Sequence, residues 1–322
     1  MDPAEFCRAA RVLIVAGKGG VGKTTVTAAV ARMASRAGLS TLIVEIEGRS
    51  GLGATFGHPD PLSYREVVLL PTSPGRAEIR ARTLTPDDAL VDYLIDHGLK
   101  RVSRRLVTSG ALDVVATAVP GLRDILVLGK VKSLERSEAA DLIVVDAPAA
   151  GHAVTFLTSA RGLLDAFRVG PIRTQAADVV SLLSDPTRCQ VLLVTLPEET
   201  PVNEAVETAY KIEDRVGVSL APLVINAVYP PLEGLGGLTR EQAAAAGVAP
   251  EDAASLQAAA DFRLGRHALQ AGQMERLAEA LPLPQLRLPY LFSTDLGSAE
   301  VEQLAGALAD AIGALPRAAA RP

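Results

Sequence analysis

The sequence predicts an α/β protein with a mostly parallel, doubly wound sheet, on the basis of two observations. Short apolar runs rich in Val, Ile and Leu recur along the chain, and stretches with helical spacing separate most of them. A glycine-rich segment directly follows the first of these runs and precedes a helical stretch. This alternation is typical of parallel strands whose two faces are both covered by helices.

Six apolar runs are predicted to form the strands of this sheet. Pro, Gly or charged residues interrupt each run well before the roughly 20 apolar residues that a membrane-spanning helix needs. We therefore expect no integral membrane segment. The predicted strands are 11–16, 40–47, 141–147, 190–196, 221–228 and 285–291.

Two longer helical stretches lie between predicted strands. The range 75–138 carries helical patterning and no run of the quality of the six strands, so it is predicted to be a helical subdomain inserted into the sheet domain. The alanine-rich range 238–280 is predicted to be an additional helical segment between the fifth and sixth strands. Together these features predict a single domain over 1–322.

Composition narrows the function classes. The 322 residues are 48% hydrophobic and 21% charged, which fits a folded enzyme rather than a disordered chain. A net charge of -5 argues against nucleic acid as the main partner, and the basic run at 100–105 is interpreted as a solvated helix face.

The first residues lack the basic and apolar pattern of a secretory signal, so a cytoplasmic location is expected. Cys7 and Cys189 have no second thiol or histidine at ligand spacing and are expected to be free thiols.

The glycine-rich segment GKGGVGKT (17–24) fits the phosphate-loop motif G-x-x-x-x-G-K-[ST], and it lies between a predicted strand and a predicted helix as that motif requires. Its backbone N–H groups and the positive end of the helix are expected to bind phosphates. Lys23 is expected to bridge the β- and γ-phosphates, and the Thr24 hydroxyl to bind Mg²⁺. ATP and Mg²⁺ are therefore the predicted cofactors. The loop residues predicted to bind nucleotide are Gly17, Gly19, Gly20, Val21, Gly22, Lys23, Thr24 and Thr25.

A second lysine, Lys18, stands at the start of this loop. Its backbone has to wrap the phosphates, so its side chain is poorly placed to reach the same nucleotide. We expect the side chain to point outward, where it could neutralise transition-state charge on the nucleotide of a partner subunit. The alternative is a lysine that is merely solvated.

Three further residues, at or shortly after the ends of strands, are predicted to bind nucleotide or metal. Asp146 ends the third predicted strand and is expected to hold the Mg²⁺ shell, although an aspartate there can also cap a turn. Gly151 follows and is expected to present its backbone N–H to the γ-phosphate. Asn226 ends the fifth strand, and its amide suits N7 and the amino group of adenine, with an ordinary turn asparagine as the alternative.

Two glutamates lie at the end of the second predicted strand. Glu45 and Glu47 share one face of the strand at its carboxyl end, where ligands collect in open α/β sheets. Either could orient the attacking water, and Glu47 is favoured because it is closer to the following loop. The alternative is that both acids pair with Arg49 or Lys18 and contribute only local structure.

The segment KGGVGKTT (18–25) resembles the deviant Walker A loop of the dimeric ATPases that include the arsenite-pump, tail-anchored-protein targeting, division-site placement and nitrogenase iron-protein families. The chain is most similar to the actinobacterial subgroup of the arsenite-pump ATPase (ArsA) family. This resemblance implies a P-loop ATPase that works as a dimer, with Lys18 acting across the interface and an asparagine at the position of Asn226 contacting adenine. The matching segments are 44–51, 118–132, 142–152, 170–183 and 192–204.

The resemblance further implies a Mg-ATP-dependent conformational switch for an unidentified client or transport partner, built as a homodimer or as a heterodimer with a related ATPase. Lys18, Lys23 and Glu47 are then the expected catalytic residues. The arsenite-pump and targeting ATPases carry an aspartate in a D-P-A-H/S segment that orients water, whereas this chain has Glu47 followed by Gly48. That change favours an alternative, a nucleotide-binding assembly subunit with negligible hydrolysis.

Other differences between this sequence and those ATPase families limit which client proteins are expected. The metalloid sites of arsenite pumps, the bridging zinc of targeting factors and an iron–sulfur cluster all need cysteines that this chain lacks. The three methionines, Met1, Met33 and Met274, lie outside 75–138, so a methionine-rich groove for tail-anchored clients is not expected. A membrane-surface positioning ATPase is a weaker alternative, since no terminal basic amphipathic helix is present.

Overall fold

A computed structural model describes residues 1–46, 51–96, 98, 121–148, 150–235 and 240–316. In these residues the chain forms a sheet with helices packed on both faces. The strands are β1 Val12–Ala16, β2 Thr41–Ile46, β3 Val67–Leu70, β4 Ile79–Leu84, β5 Leu142–Asp146, β6 Cys189–Thr195, β7 Ser219–Leu220, β8 Leu223–Val228 and β9 Gln285–Pro289. The helices are α1 Pro3–Arg8, α2 Lys23–Arg36, α3 Leu52–Thr55, α4 Pro86–Asp96, α5 Leu122–Arg136, α6 Ala150–Ala166, α7 Pro171–Ser184, α8 Glu199–Val216, α9 Arg240–Ala245, α10 Pro250–Ala280 and α11 Ser298–Gly313.

The strand order places the loop after β1 at the centre of the sheet. The order is β3-β4-β2-β5-β1-β6-β8-β9, with β7 beside β6. The described pairings are parallel except for β3 with β4, which is antiparallel. Parallel strands bring their carboxyl ends to one edge. The ends of β2, β5, β6 and β8 therefore surround the loop that follows β1.

Side chains of the central strands alternate between two core layers, as expected for a sheet that is buried on both faces. In β1, Val12 and Ile14 pack with apolar residues of α5 to α8. Leu13 and Val15 point to the other face and pack with α1, α2 and α11. The prediction of a mostly parallel α/β sheet is confirmed.

The six predicted strands are all present, but three further strands were not predicted from the sequence. The least expected is β4, with the sequence IRARTL, because its two arginines make it look like exposed chain. Arg80 and Arg82 instead pair with Glu66, and the Arg82 guanidinium also lies over the ring of Tyr64 at 4.3 Å. These partners allow β4 to take a place in the sheet.

The range 75–138 contains a strand that is not one of the apolar runs, since β4 lies in this range and pairs in parallel with β2. Later in the range, α5 buries Ile125 and Leu128 in the same core layer as β1. Residues 97 and 99–120 lie outside the described part of the chain. The inserted helical subdomain remains a prediction.

Both cysteines are free thiols, as predicted. Cys7 and Cys189 are buried, and burial raises the pKa of each thiol to about 12. At neutral pH they are therefore protonated and unreactive. Among the described helices, none is long and apolar enough to cross a membrane.

Candidate nucleotide site

The phosphate loop joins β1 to α2 and is packed tightly between neighbouring strand ends. A Cβ atom on Gly17 would lie 2.2 Å from the Val194 carbonyl oxygen, and one on Gly22 would lie 2.3 Å from Nδ2 of Asn226. Gly22 also has a φ of 90°, in the left-handed region. Because any side chain would collide at both positions, the motif glycines allow the loop to close against β6 and β8.

The amino end of α2 carries unsatisfied backbone donors that suit a phosphate. Gly22 is its N-cap, no side chain caps the first turn, and that turn contains no acidic residue. The N–H groups of a first helical turn have no intrahelical acceptor, and the helix dipole adds positive potential there. This end of α2 is therefore built to accept an anion.

Lys23 lies in the first turn of α2 and is folded back over the loop. Its Nζ donates a hydrogen bond of 3.0 Å to the backbone carbonyl oxygen of Lys18. Burial lowers the pKa of Lys23, and the Asp146 carboxylate offsets part of this shift. A phosphate group would compete with the carbonyl for this ammonium and restore the favourable charge pairing.

Thr24 and Asp146, the two residues predicted to bind magnesium, lie next to each other. The Thr24 hydroxyl donates a hydrogen bond of 2.8 Å to Oδ2 of Asp146, which is 5% exposed at the end of β5. Mg²⁺ prefers hard oxygen ligands and is bound by one or two protein oxygens together with phosphate oxygens and waters. This hydroxyl and carboxylate fit that ligand set. The described residues contain no group of three or more His, Cys, Asp or Glu that could hold a metal without a nucleotide.

Glu45 lies beside Asp146, because the two are register partners in the β2/β5 pairing. It is 3% exposed and accepts a hydrogen bond of 2.8 Å from the Thr83 hydroxyl of β4. A second carboxylate therefore stands next to the predicted metal ligands. Glu47 and Arg49 lie outside the described residues, so the preference for Glu47 over Glu45 remains a prediction.

Lys18 makes an ion pair that the sequence did not reveal. Its Nζ lies 2.6 Å from Oε1 of Glu204, on α8, and the two side chains are 40% and 36% exposed. The second carboxylate oxygen of Glu204 is buried and accepts no hydrogen bond from the described residues. Glu204 is therefore a partner of Lys18 that is distant in sequence, while the alternative pairing with Glu47 falls on a residue outside the described part of the chain.

Asn226 faces the phosphate loop from β8. Its Nδ2 donates a hydrogen bond of 3.0 Å to the Val21 carbonyl oxygen. The next residue, Ala227, has a φ of 59°, which is unusual for a residue with a side chain. The amide predicted to contact adenine is therefore held against the loop within β8, next to a residue with a strained backbone.

A cavity of about 720 Å³ opens on the other side of the loop. Thr24 and Asp146 line it together with Arg123 of α5 and His152 and Phe156 of α6. Because α6 begins at Ala150, Gly151 lies in its first turn, where backbone N–H groups are free of intrahelical bonds. The cavity has room for a γ-phosphate and an attacking water beside the predicted metal ligands.

The family model for anion-transporting ATPases (ArsA_ATPase) matches residues 10–73, which include β1, the phosphate loop, α2 and β2. The "ATPase BagA" of Mycobacterium tuberculosis (strain ATCC 25618 / H37Rv) is 31% identical over 314 residues, covering 89% of this chain and 90% of the relative.

Two more distant relatives match along part of their length. The "Arsenical pump-driving ATPase" of Escherichia coli is 26% identical over 299 residues, which cover 84% of this chain and 49% of the relative. The "ATPase get3" of Schizosaccharomyces japonicus is 26% identical over 145 residues, which cover 45% of this chain and 42% of the relative. With the mycobacterial match covering nearly the full length of both chains, and with a phosphate loop at the centre of a parallel sheet, this protein belongs to the ArsA family of anion-transporting ATPases.

Proposed function

We propose that this chain hydrolyses Mg-ATP as one half of a dimer and works as a conformational switch for a partner protein. The observation that carries the proposal is the hydrogen bond between Thr24 and Asp146 beside the phosphate loop. It joins the two protein oxygens that a magnesium-bound triphosphate needs. Bound Mg²⁺ would neutralise charge on the β- and γ-phosphates during transfer to water.

The phosphate loop is proposed to be a deviant Walker A loop, in which Lys23 serves its own nucleotide and Lys18 serves the nucleotide of a second subunit. The role of Lys23 is supported by its position in the first turn of α2, over the loop. The role of Lys18 is supported by the exposure of its side chain, which is 40% exposed although it pairs with Glu204. Breaking such an exposed ion pair costs at most about 1 kcal/mol, so Lys18 can leave Glu204 when a second subunit approaches.

The attacking water is proposed to be oriented by a glutamate at the end of β2. Glu47 is the first candidate, and Glu45 is the second because it lies buried beside Asp146. Gly151 is proposed to donate its N–H to the γ-phosphate, so that α6 responds to hydrolysis. Asn226 is proposed to contact adenine from the other side of the loop.

Arsenical pumping, named for the Escherichia coli relative, is not part of this proposal. Soft thiolates are the ligands that trivalent arsenic requires, by the same preference that governs soft metals. Both cysteines of the chain are buried, and burial keeps them protonated. They cannot form an accessible thiolate site.

The ion pair between Lys18 and Glu204 favours a second candidate function. A lysine held within its own chain would leave the site incomplete, and the protein would then bind nucleotide with negligible hydrolysis. In that case a related ATPase, as the other half of a heterodimer, would complete the site. This candidate also agrees with the change from aspartate to Glu47 and Gly48.

A mixing experiment separates these candidates. Lys18→Ala and Asp146→Asn are each expected to lose turnover, the first for lack of the lysine and the second for lack of the metal ligand. If Lys18 acts across a homodimer, a mixture regains activity, because the Lys18→Ala subunit keeps a metal site that the other subunit's lysine completes. Half of randomly formed dimers are mixed and each holds one complete site, so about one quarter of wild-type activity is expected.

The turnover of the wild type serves as the control for the mixing experiment. Turnover per chain of the wild type should rise with protein concentration and then reach a plateau as dimers form. A mixture that regains no activity, with normal turnover of the wild type, would show that Lys18 acts within its own chain. Nucleotide binding without turnover in the wild type at all concentrations would favour the assembly subunit.

A further inference from the structure

A buried glutamine on α10 holds the turn that follows Asn226. Gln270 is 3% exposed, and its side chain makes two hydrogen bonds to backbone groups at the end of β8. Its Nε2 donates to the Ala227 carbonyl oxygen at 3.2 Å, and its Oε1 accepts from the Tyr229 N–H at 2.8 Å. Both polar groups of the amide are thus used within a buried site, where an unpaired group would be costly.

This turn needs an external support, because its backbone is irregular. Ala227 has a φ of 59°, and the pairing of β8 with β9 shifts register between Ile225 and Val228. Such a bulge leaves backbone groups without partners in the ladder and re-aims the neighbouring side chain. The two bonds from Gln270 satisfy one carbonyl and one N–H of this irregular segment.

The side chain that the bulge directs is Asn226. Its Nδ2 bonds to the Val21 carbonyl oxygen, and it occupies the space next to the missing Cβ of Gly22. A change in the backbone at Ala227 would therefore move the Asn226 amide relative to the phosphate loop. The two hydrogen bonds of Gln270 go to Ala227 and Tyr229, so it acts on Asn226 through the turn.

A second contact from the same helix supports the turn from outside. The Arg263 guanidinium lies 4.7 Å from the centre of the Tyr229 ring, and its Nη2 donates to the Pro230 carbonyl oxygen at 3.0 Å. The Tyr229 ring also packs edge-on against Tyr290 at 5.0 Å. The helix α10 therefore holds the turn from Ala227 to Pro230 at several points.

We propose that Gln270 is a positioning residue that sets the base selectivity of the nucleotide site through Asn226. By fixing the backbone at Ala227 and Tyr229, Gln270 holds the Asn226 amide with its donor and acceptor in the orientation that suits adenine. Guanine presents an acceptor where adenine presents its amino group, so a fixed amide distinguishes the two bases and a mobile one does not. This inference rests on the proposed contact between Asn226 and adenine.

The test compares the affinities for ATP and GTP in Gln270→Ala, in Asn226→Ala and in the double variant. Gln270→Ala is expected to reduce the preference for ATP over GTP by up to about tenfold, since one oriented hydrogen bond is at stake. The double variant should show no further loss beyond Asn226→Ala, because both changes remove the same interaction. Gln257→Ala is the matched control, since Gln257 bonds only to Asp261 in the described part of the same helix and should leave the preference unchanged.

Two further measurements do not depend on catalysis. Exchange of the Tyr229 amide hydrogen without nucleotide should be faster in Gln270→Ala, because that N–H loses its acceptor. Ala227→Gly is expected to fold normally and to diminish the effect of Gln270→Ala, since glycine adopts a positive φ without strain.

The outcomes separate the inference from the proposed function. A reduced preference in Asn226→Ala with an unchanged preference in Gln270→Ala would overturn the role of Gln270 and leave the adenine contact intact. An unchanged preference in Asn226→Ala would overturn the adenine contact, and with it any selectivity set through that residue. Additive losses in the double variant would show that Gln270 acts by another route and would also overturn the inference.

Discussion

The two sides of the phosphate loop are built differently. On the side of the proposed metal ligands, Thr24 bonds to Asp146 and Thr83 bonds to Glu45, with both carboxylates at most 5% exposed. On the lysine side, Lys18 pairs with Glu204 through side chains that are 40% and 36% exposed. Buried, hydrogen-bonded groups hold one geometry, whereas an exposed ion pair contributes little free energy and exchanges readily. The loop therefore joins a fixed half to a half that can be released.

The strongest expected effect lies on the releasable side. Lys18→Ala should lower turnover by a factor on the order of 10³, as removal of a charge-neutralising cation does at other phosphoryl-transfer sites. Binding of a labelled ATP analogue should be retained, because Lys23 and the loop amides are unchanged. Lys211→Ala is a matched control, since that lysine pairs with Glu207 on the surface of α8. Unchanged turnover in Lys18→Ala would remove the functional difference between the two sides.

On the fixed side, Asp146→Asn should weaken the binding of Mg²⁺ to the complex of protein and nucleotide. The amide keeps the size of the side chain but loses the negative charge, so the apparent Mg²⁺ affinity should fall by about 10- to 100-fold. A Mg²⁺ titration of nucleotide binding measures this. Asp178→Asn provides the comparison, because Asp178 pairs with Lys132 away from the loop and should leave the titration unchanged. An unaltered titration in Asp146→Asn would contradict the proposed metal site.

A smaller effect on turnover is expected when the ion pair between Lys18 and Glu204 is removed. Glu204→Gln removes the ion pair and frees Lys18, so turnover at low protein concentration should rise. The increase should be at most about fivefold, because an exposed ion pair is worth up to about 1 kcal/mol. Glu207→Gln, one turn along α8, should cause no increase. A fall in turnover would mean that Glu204 holds Lys18 in its active position rather than in a resting one.

The smallest effect on turnover is expected far from the loop, at the other end of α2. This helix has 14 residues and is therefore about 21 Å long. There the Glu302 carboxylate accepts hydrogen bonds from Arg32, Arg36 and Arg76. Burial alone would raise the pKa of Glu302, but the hydrogen bonds from Arg36 and Arg32 outweigh it and the pKa is lowered.

Glu302→Gln should therefore change stability and leave turnover per folded chain unaltered. A carboxyl group whose pKa is lower in the folded state stabilises the fold above its unfolded pKa of about 4.3, and this stabilisation is lost as the pH falls through the folded value. At pH 7 the variant should lose about 2 kcal/mol of unfolding free energy, since hydrogen bonds between charged groups are removed. Denaturant unfolding at pH 7 and below pH 4 should show that the difference shrinks in acid. Glu279→Gln, an exposed change on α10, should show no such difference.

The parts of the fold that the sequence predicted are those with local signals. The six strands are apolar runs, and the phosphate loop is a contiguous motif between β1 and α2. In contrast, β4 carries Arg80 and Arg82, and its place in the sheet depends on Glu66 and Tyr64. No local pattern shows that such arginines will find partners. The strand was missed for that reason.

The residues of the site also divide into those with a local sequence signal and those without one. Thr24 and Asp146 were each predicted to bind Mg²⁺ because one belongs to a motif and the other ends a buried strand, and a hydrogen bond joins them in the structure. Glu204 is 186 residues from Lys18, on a helix with several other glutamates, so its pairing depends on tertiary structure alone. Gln270 was missed because a glutamine in the middle of an alanine-rich helix resembles a solvated residue until its burial is known.

Because Cys7 and Cys189 are buried, the motion of this protein can be followed with labels on cysteines that are introduced at its surface. With both native thiols protonated and enclosed, maleimide or nitroxide reagents at neutral pH should label only a cysteine that is introduced on the surface. An exposed position such as Phe262 on α10 is suitable, since most of its side chain faces solvent. Distances between two such labels, recorded with and without nucleotide, would then report opening and closing of a pair of subunits against a background free of native signal.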